Sequence, residues 1–195
     1  FNVKYAAEPE KLNIEMQDFL APTAGRLPSN RSDIYFKELG TESPILVKLI
    51  MQSIYQSDKR RIKHIGAQQF GMKFLLRGLY AHNGLFYFYT RIDNDTNMPF
   101  AVDFVTFKVV DKKVAKRTAM QEQVLQPLRA YHQLLEVKAN DNERGIFVLE
   151  QFSLSQDKEL QVTLYERGGG RTLSFSLDQE DLLLAQKIDK LKLKW

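Results

Sequence analysis

The stretch MKFLLRGLYAHNGLFYFYTRIDN, residues 72–94, decides the fold. Two apolar-aromatic runs flank Asn83-Gly84, a dipeptide suited to the two positive-φ positions of a tight two-residue turn. The stretch therefore predicts a β-hairpin. Along its second arm Leu85, Tyr87 and Tyr89 share one face, while Phe86, Phe88 and Ile92 share the other. One face must be core. The tyrosine face is either a second packed surface or an exposed platform on which bases could stack. Cover by a neighbouring segment, such as a helix nearer the amino terminus, is the expectation.

Downstream, AVDFVTFKVV (101–110) reads as a strand buried on both faces, and further strands are expected at Leu134–Lys138, Arg144–Phe152 and Glu159–Arg167. Gly168 to Gly170 join the last of these to Arg171–Leu177 as a second hairpin, with glycine supplying positive φ at no steric cost. About seven strands with turn signals at roughly ten-residue spacing predict an antiparallel sandwich. Upstream, SPILVKLIMQSIYQSDKRRIKHIG (43–66) reads as an amphipathic helix capped by Ser43, started by Pro44 and stopped at Gly66. Its stripe is Leu46, Ile50, Ile54, Ile62 and Ile65. Lys59, Arg60, Arg61, Lys63 and His64 fall in its last turns, where they would oppose the negative helix end; contact with an anion is the alternative.

Residues 1–6 read as a short strand, and the proline- and glycine-punctuated run to about Thr41 as linker. The chain opens on FNVKY without an initiator methionine, so removal of an amino-terminal part is expected. The expected organisation is all-β: a linker and helix segment over 1–70, an antiparallel immunoglobulin-like sandwich over 71–185, and a charged tail over 186–195.

Composition narrows the function classes. In 195 residues, 28 basic and 24 acidic side chains give a net charge of +4 with both signs interspersed. A protein dedicated to coating nucleic acid carries a larger, one-sided excess. The lack of cysteine excludes disulfides, thiolate metal sites and cysteine nucleophiles. No run approaches the ~18 apolar residues of a membrane-spanning helix. His64, His82 and His132 lack ligand spacing, and no serine sits in a nucleophile elbow. GGGRT lacks the lysine and following helix of a phosphate-binding loop. No catalytic residue, cofactor site or metal site is expected.

The most distinctive run is DKKVAKRTAMQEQVLQPL (111–128), which places Lys112, Lys113, Lys116 and Arg117 within six positions. Just before it, Asp103 shares a face with Val105, Phe107 and Val109 by simple alternation. A carboxylate there needs a partner, because an unpaired buried charge costs several kcal/mol. Lys116, Arg117 and Arg171 are the expected partners. In that reading Asp103 is at least half buried, and one or two of the motif's cations point inward.

Read together, FYFYTRIDNDTNMPFAVDFVTFKVVDKKVAKRTAMQEQVLQPL resembles the Bacteroides-type conjugative-transposon TraN family, with its aromatic strand, aspartate-containing strand and D-K-K-x-x-K-R-T-A-x-Q-E run. The resemblance continues through GIFVLEQFSL and YERGGGRTLSF, and FNVKYAAEPEKLNI looks like the junction into that family's carboxy-terminal half. Gly168 stands where the family has a Lys/Asn before Gly-Gly, and the end of QEDLLLAQKIDKLKLKW departs from the pattern. The resemblance implies a non-catalytic subunit of a conjugation apparatus. A more distant similarity, to the TrbG/CagX type of outer-membrane core subunit, implies a periplasmic or outer-membrane-associated place in a ring with other envelope proteins. Lys112, Lys113, Lys116, Arg117, Thr118, Gln121 and Glu122 are then the interaction or interlock residues, with Asp103 and Arg171 structural. The rivals are a carbohydrate- or adhesion-type binding sandwich, with an exposed platform around Tyr87 and Tyr89, and direct DNA binding through the basic run.

Overall fold

A computed structural model describes residues 42–112, 122–132 and 134–188. In chain order these form helix α1 (Pro44–Ser57) and strands β1 (Gly66–Gln69), β2 (Met72–His82), β3 (Leu85–Asn94) and β4 (Phe100–Asp111). After them come β5 (Gln123–Leu125), β6 (Arg129–Tyr131), β7 (Glu136–Val137) and β8 (Asp141–Glu150). The chain continues through β9 (Lys158–Glu166), β10 (Thr172–Leu177), helix α2 (Gln179–Leu183) and β11 (Gln186–Lys187). Both expected hairpins are present. Asn83 and Gly84 take φ of 41° and 76°, placing His82 opposite Leu85. At the second turn Gly168 has φ of 63°, and Thr172 pairs with Tyr165.

The strands make two sheets. One runs β1-β2-β3-β8-β6, with β11 added parallel to β2; the other runs β10-β9-β4-β5, with β7 also on β4. Every other pairing is antiparallel. Between the sheets Phe74, Phe86, Phe88 and Ile92 meet Phe100, Phe107, Val162 and Phe175, all buried in one cluster. Phe88 and Phe107 touch edge-on at 5.5 Å.

Helix α1 lies on the other side of the first sheet. Val47, Ile50, Met51 and Ile54 pack on Tyr80, Tyr87, Tyr89, Ile146 and Val148. Strand β3 is thus buried on both faces, and Tyr87 and Tyr89 are 0% exposed. A helix of this length is marginal alone; burying its stripe, at about 1.5–3 kcal/mol per large side chain, holds it. The covered tyrosine face is the expected arrangement, and the exposed platform at Tyr87 and Tyr89 is excluded.

Three local expectations are corrected. Helix α1 ends at Ser57, not Gly66: Asp58 turns left-handed at φ 43°, and residues 58–65 run as a strap across the first sheet. Ile62 and Ile65 therefore pack in the inter-sheet core and not under the helix. Ser43 makes no side-chain cap, although its carbonyl accepts from the Val47 amide at 3.1 Å. Finally, each of two long strands contains a bulge. In β2 the register skips from Leu76 to Gly78, leaving Arg77 as the extra residue and turning Tyr80 toward α1. In β4 it skips from Val102 to Phe104, leaving Asp103 extra.

The first sheet also recruits Gly66–Gln69 and Gln186–Lys187 from outside the 71–185 span. The strand expected at 1–6, the linker to Thr41 and the tail from 189 lie outside the described residues.

Candidate interaction site

Of the basic run, the described residues are its two ends. Lys112 follows the last residue of β4 and Glu122 precedes β5, so the run connects two neighbouring strands. Lys113, Lys116, Arg117, Thr118 and Gln121 lie outside the described residues. Strand β5 ends the second sheet's order, pairing Leu125, Val124 and Gln123 with Phe107, Lys108 and Val109. The described ends of the run therefore flank the last strand of this sheet, and among the described residues no further strand pairs with β5.

The run's two acids are engaged by cations that do not belong to it. Glu122 Oε2 lies 2.9 Å from Lys108 Nζ, and Asp111 Oδ1 lies 3.7 Å from Lys158 Nζ. The hydrogen bond to Glu122 holds the Lys108 ammonium above its ordinary pKa. The Lys112 amide donates to Asp157 O at 2.8 Å, fixing the strand end, while its side chain is exposed. Asp178 is held below the usual carboxylate range, first by the Asp181 amide and also by the Lys112 charge.

Asp103 does not join this arrangement. The bulge gives it an exposed position, and among the described residues no cation reaches its carboxylate. The expectation of a half-buried acid sharing a face with Val105 and Phe107 fails because the extra residue breaks the two-residue alternation.

Arg171 is structural, with a different partner. Its guanidinium grips the Glu166 carboxylate, with Nε donating to Oε2 at 3.0 Å and Nη2 to Oε1. Nη2 also donates to Pro99 O at 2.9 Å, and the group lies 5.1 Å from the Phe100 ring centre. The hydrogen bond from Arg171 holds Glu166 below the ordinary glutamate range. This cluster ties the second hairpin to the start of β4.

A second polar node fixes α1. Asp58 Oδ1 accepts from the Tyr89 hydroxyl at 2.5 Å and pairs with Arg144 at 2.9 Å and Arg77 at 3.2 Å. Arg144 also lies 4.3 Å from the Tyr55 ring centre, and Tyr55 stacks on His132 at 4.3 Å. Burial opposes the Asp58 charge, but the hydrogen bonds from Tyr89 and Arg144 and the Arg77 charge together keep its pKa below 3.8. Burial, with the Asp58 hydrogen bond, pushes the Tyr89 phenol up to about 12. The node closes the helix layer onto the sheet, and a buried phenol donating to a carboxylate held by two guanidiniums has no free nucleophile.

Sequence reading missed this node because Arg77, Tyr89 and Arg144 are far from Asp58 along the sequence and meet it only through the fold. The only local signal was Arg77 interrupting the apolar run of β2. Among the described residues no group of three or more His, Asp or Glu side chains could hold a metal ion.

Residues 44–187 match the sequence profile of a family described as Domain of unknown function (DUF4138). The matched span runs from the first residue of α1 to the last of β11, so the helix layer belongs to the shared unit together with both sheets. No curated protein matches the chain.

Proposed function

We propose that this chain, which belongs to the DUF4138 family, is a non-catalytic assembly subunit of a conjugative DNA-transfer apparatus in the cell envelope. In this reading it acts through protein–protein contacts in the periplasm or at the outer membrane, in a ring with other envelope proteins of the apparatus. The resemblance to the conjugative-transposon TraN family supplies the biological setting. One structural observation carries the mode of action. The described ends of the basic run flank β5, with which no further described strand pairs, and its own acids, Asp111 and Glu122, are bound by Lys158 and Lys108. With both acids engaged by cations outside the run, the run's own cations suit acidic groups on a partner whose strand or loop seats against β5.

A sugar-binding sandwich would need another platform, because Tyr87 and Tyr89 are occupied by α1. Direct DNA binding remains the rival class for the same cations. Purifying the tagged chain from a conjugating donor and identifying its companions tests the assembly reading. Recovery of envelope proteins of the transfer apparatus supports it. Recovery of DNA alone, removed by nuclease, contradicts it.

A further inference from the structure

The strap between α1 and β1 carries Lys59, Arg60, Arg61, Lys63 and His64 in six positions. Because α1 stops at Ser57, these cations do not complement a helix end, and the fold gives them no internal role of that kind. Their backbone is nevertheless fixed. Arg77 O, freed by the bulge in β2, accepts from the Arg61 amide at 2.7 Å and the Ile62 amide at 3.0 Å. Ile65 O accepts from the Leu76 amide at 3.1 Å. Arg60 braces the strap from outside, donating to Ile62 O and Lys63 O at 3.2 and 3.0 Å. Ile62 and Ile65 turn into the core while all five basic side chains are exposed.

Acids on this face are Asp58, Asp178, Glu180 and Asp181, and all but the exposed Glu180 have polar partners. Asp58 is taken by Tyr89, Arg144 and Arg77. Asp178 and Asp181 reciprocally cap α2, and Asp181 also meets His64 at 3.4 Å. Among the described residues Lys59, Arg60, Arg61 and Lys63 make no ion pair. Leu183, the last residue of α2, and Leu184 after it are 77% and 78% exposed. Leu184 shares a cavity of about 150 Å³ with Arg61, Ile62, His64, Leu79, Gln186 and Asp181, the acid that meets His64, so apolar and basic groups form one surface.

We propose that the strap and α2 together bind the headgroup layer of an anionic phospholipid bilayer peripherally. Fixed exposed cations attract anionic headgroups, and protruding leucines gain from entering the acyl boundary. Duplex nucleic acid would match the cations but leave the leucines in water. The inference does not depend on the assembly reading, since the β4–β5 connection is untouched by the variants below.

The test is sedimentation of the full 195-residue chain with phosphatidylglycerol–phosphatidylcholine vesicles and with phosphatidylcholine vesicles at low salt. Binding to the first and not the second is expected. Lys59→Gln/Arg61→Gln/Lys63→Gln should weaken partitioning about 100-fold, at about fivefold per cation, with thermal unfolding unchanged. Leu183→Ser/Leu184→Ser should weaken it about tenfold. Failure to bind anionic vesicles, equal binding to both vesicles, or parent-level binding by the triple variant would overturn the proposal. So would a triple variant that loses duplex DNA binding while its vesicle partitioning is unchanged.

Discussion

Asp58 is the residue on which the helix layer closes, and its chemistry makes it testable by pH. Its folded pKa lies below 3.8, so the stability it contributes is fully present above that value and is lost as pH falls through the lower, folded value. Between about pH 5 and pH 2 the parent should therefore lose more stability than Asp58→Asn, measured by denaturant titration at each pH. Partial exposure of the carboxylate limits the effect, and Asp58→Ala at neutral pH should cost about 1–2 kcal/mol. At the alkaline end, burial raises the phenols of Tyr80, Tyr87 and Tyr89 above 10. Their neutral forms stabilise the fold below that value, and stability should fall as pH rises from about 10 toward 12. Asp103 makes the opposite case. As an exposed bulge residue without a partner among the described residues, it should tolerate Asp103→Ala within ~0.5 kcal/mol. A loss of about 3 kcal/mol would restore the buried-pair reading.

At the scale of elements, the strongest local signals were the most faithful. Asn83-Gly84 and the glycines at 168–170 specify turns through backbone conformation, which needs no tertiary context, and both hairpins formed. The alternation of Phe and Tyr along β3 likewise assigned its two faces. What was illegible arose from bulges and from a helix end. Arg77 and Asp103 each interrupt a two-residue period, and a bulge is set by what the strand meets on its neighbours and not by its own pattern. Ile62 and Ile65 continue the stripe of α1 in sequence but belong to a different core, so periodicity alone overextended the helix by two turns. The short strands β1, β5, β6 and β11 are recruited by pairing with longer ones and carry little signal of their own. The layering makes a direct prediction. Ile54 is fully buried on the inner face of α1, and Ile54→Ala should destabilise by about 3 kcal/mol through a cavity the helix cannot refill, read from urea unfolding.

The described domain is three-layered, helix α1 over two sheets, in a chain whose net charge is only +4. The candidate site was legible in the sequence as a motif, but its electrostatic state was not. Nothing in the local pattern indicated that Lys108 and Lys158 would engage the motif's acids. That pairing sharpens the contest between a protein partner and DNA. If DNA is the target, affinity should fall with salt with a slope near −0.9 per phosphate contacted. The assembly reading instead expects DNA binding that vanishes near ~150 mM salt.

The most direct test of the central claim is charge reversal of Lys112 and Lys113 in a conjugating donor, followed by quantitative recovery of the envelope proteins that accompany the tagged chain. The assembly account predicts a folded variant with unchanged thermal unfolding, depleted companions and reduced transfer. Full recovery of those companions by the variant, or micromolar DNA binding at ~150 mM salt that the reversal abolishes, would contradict it.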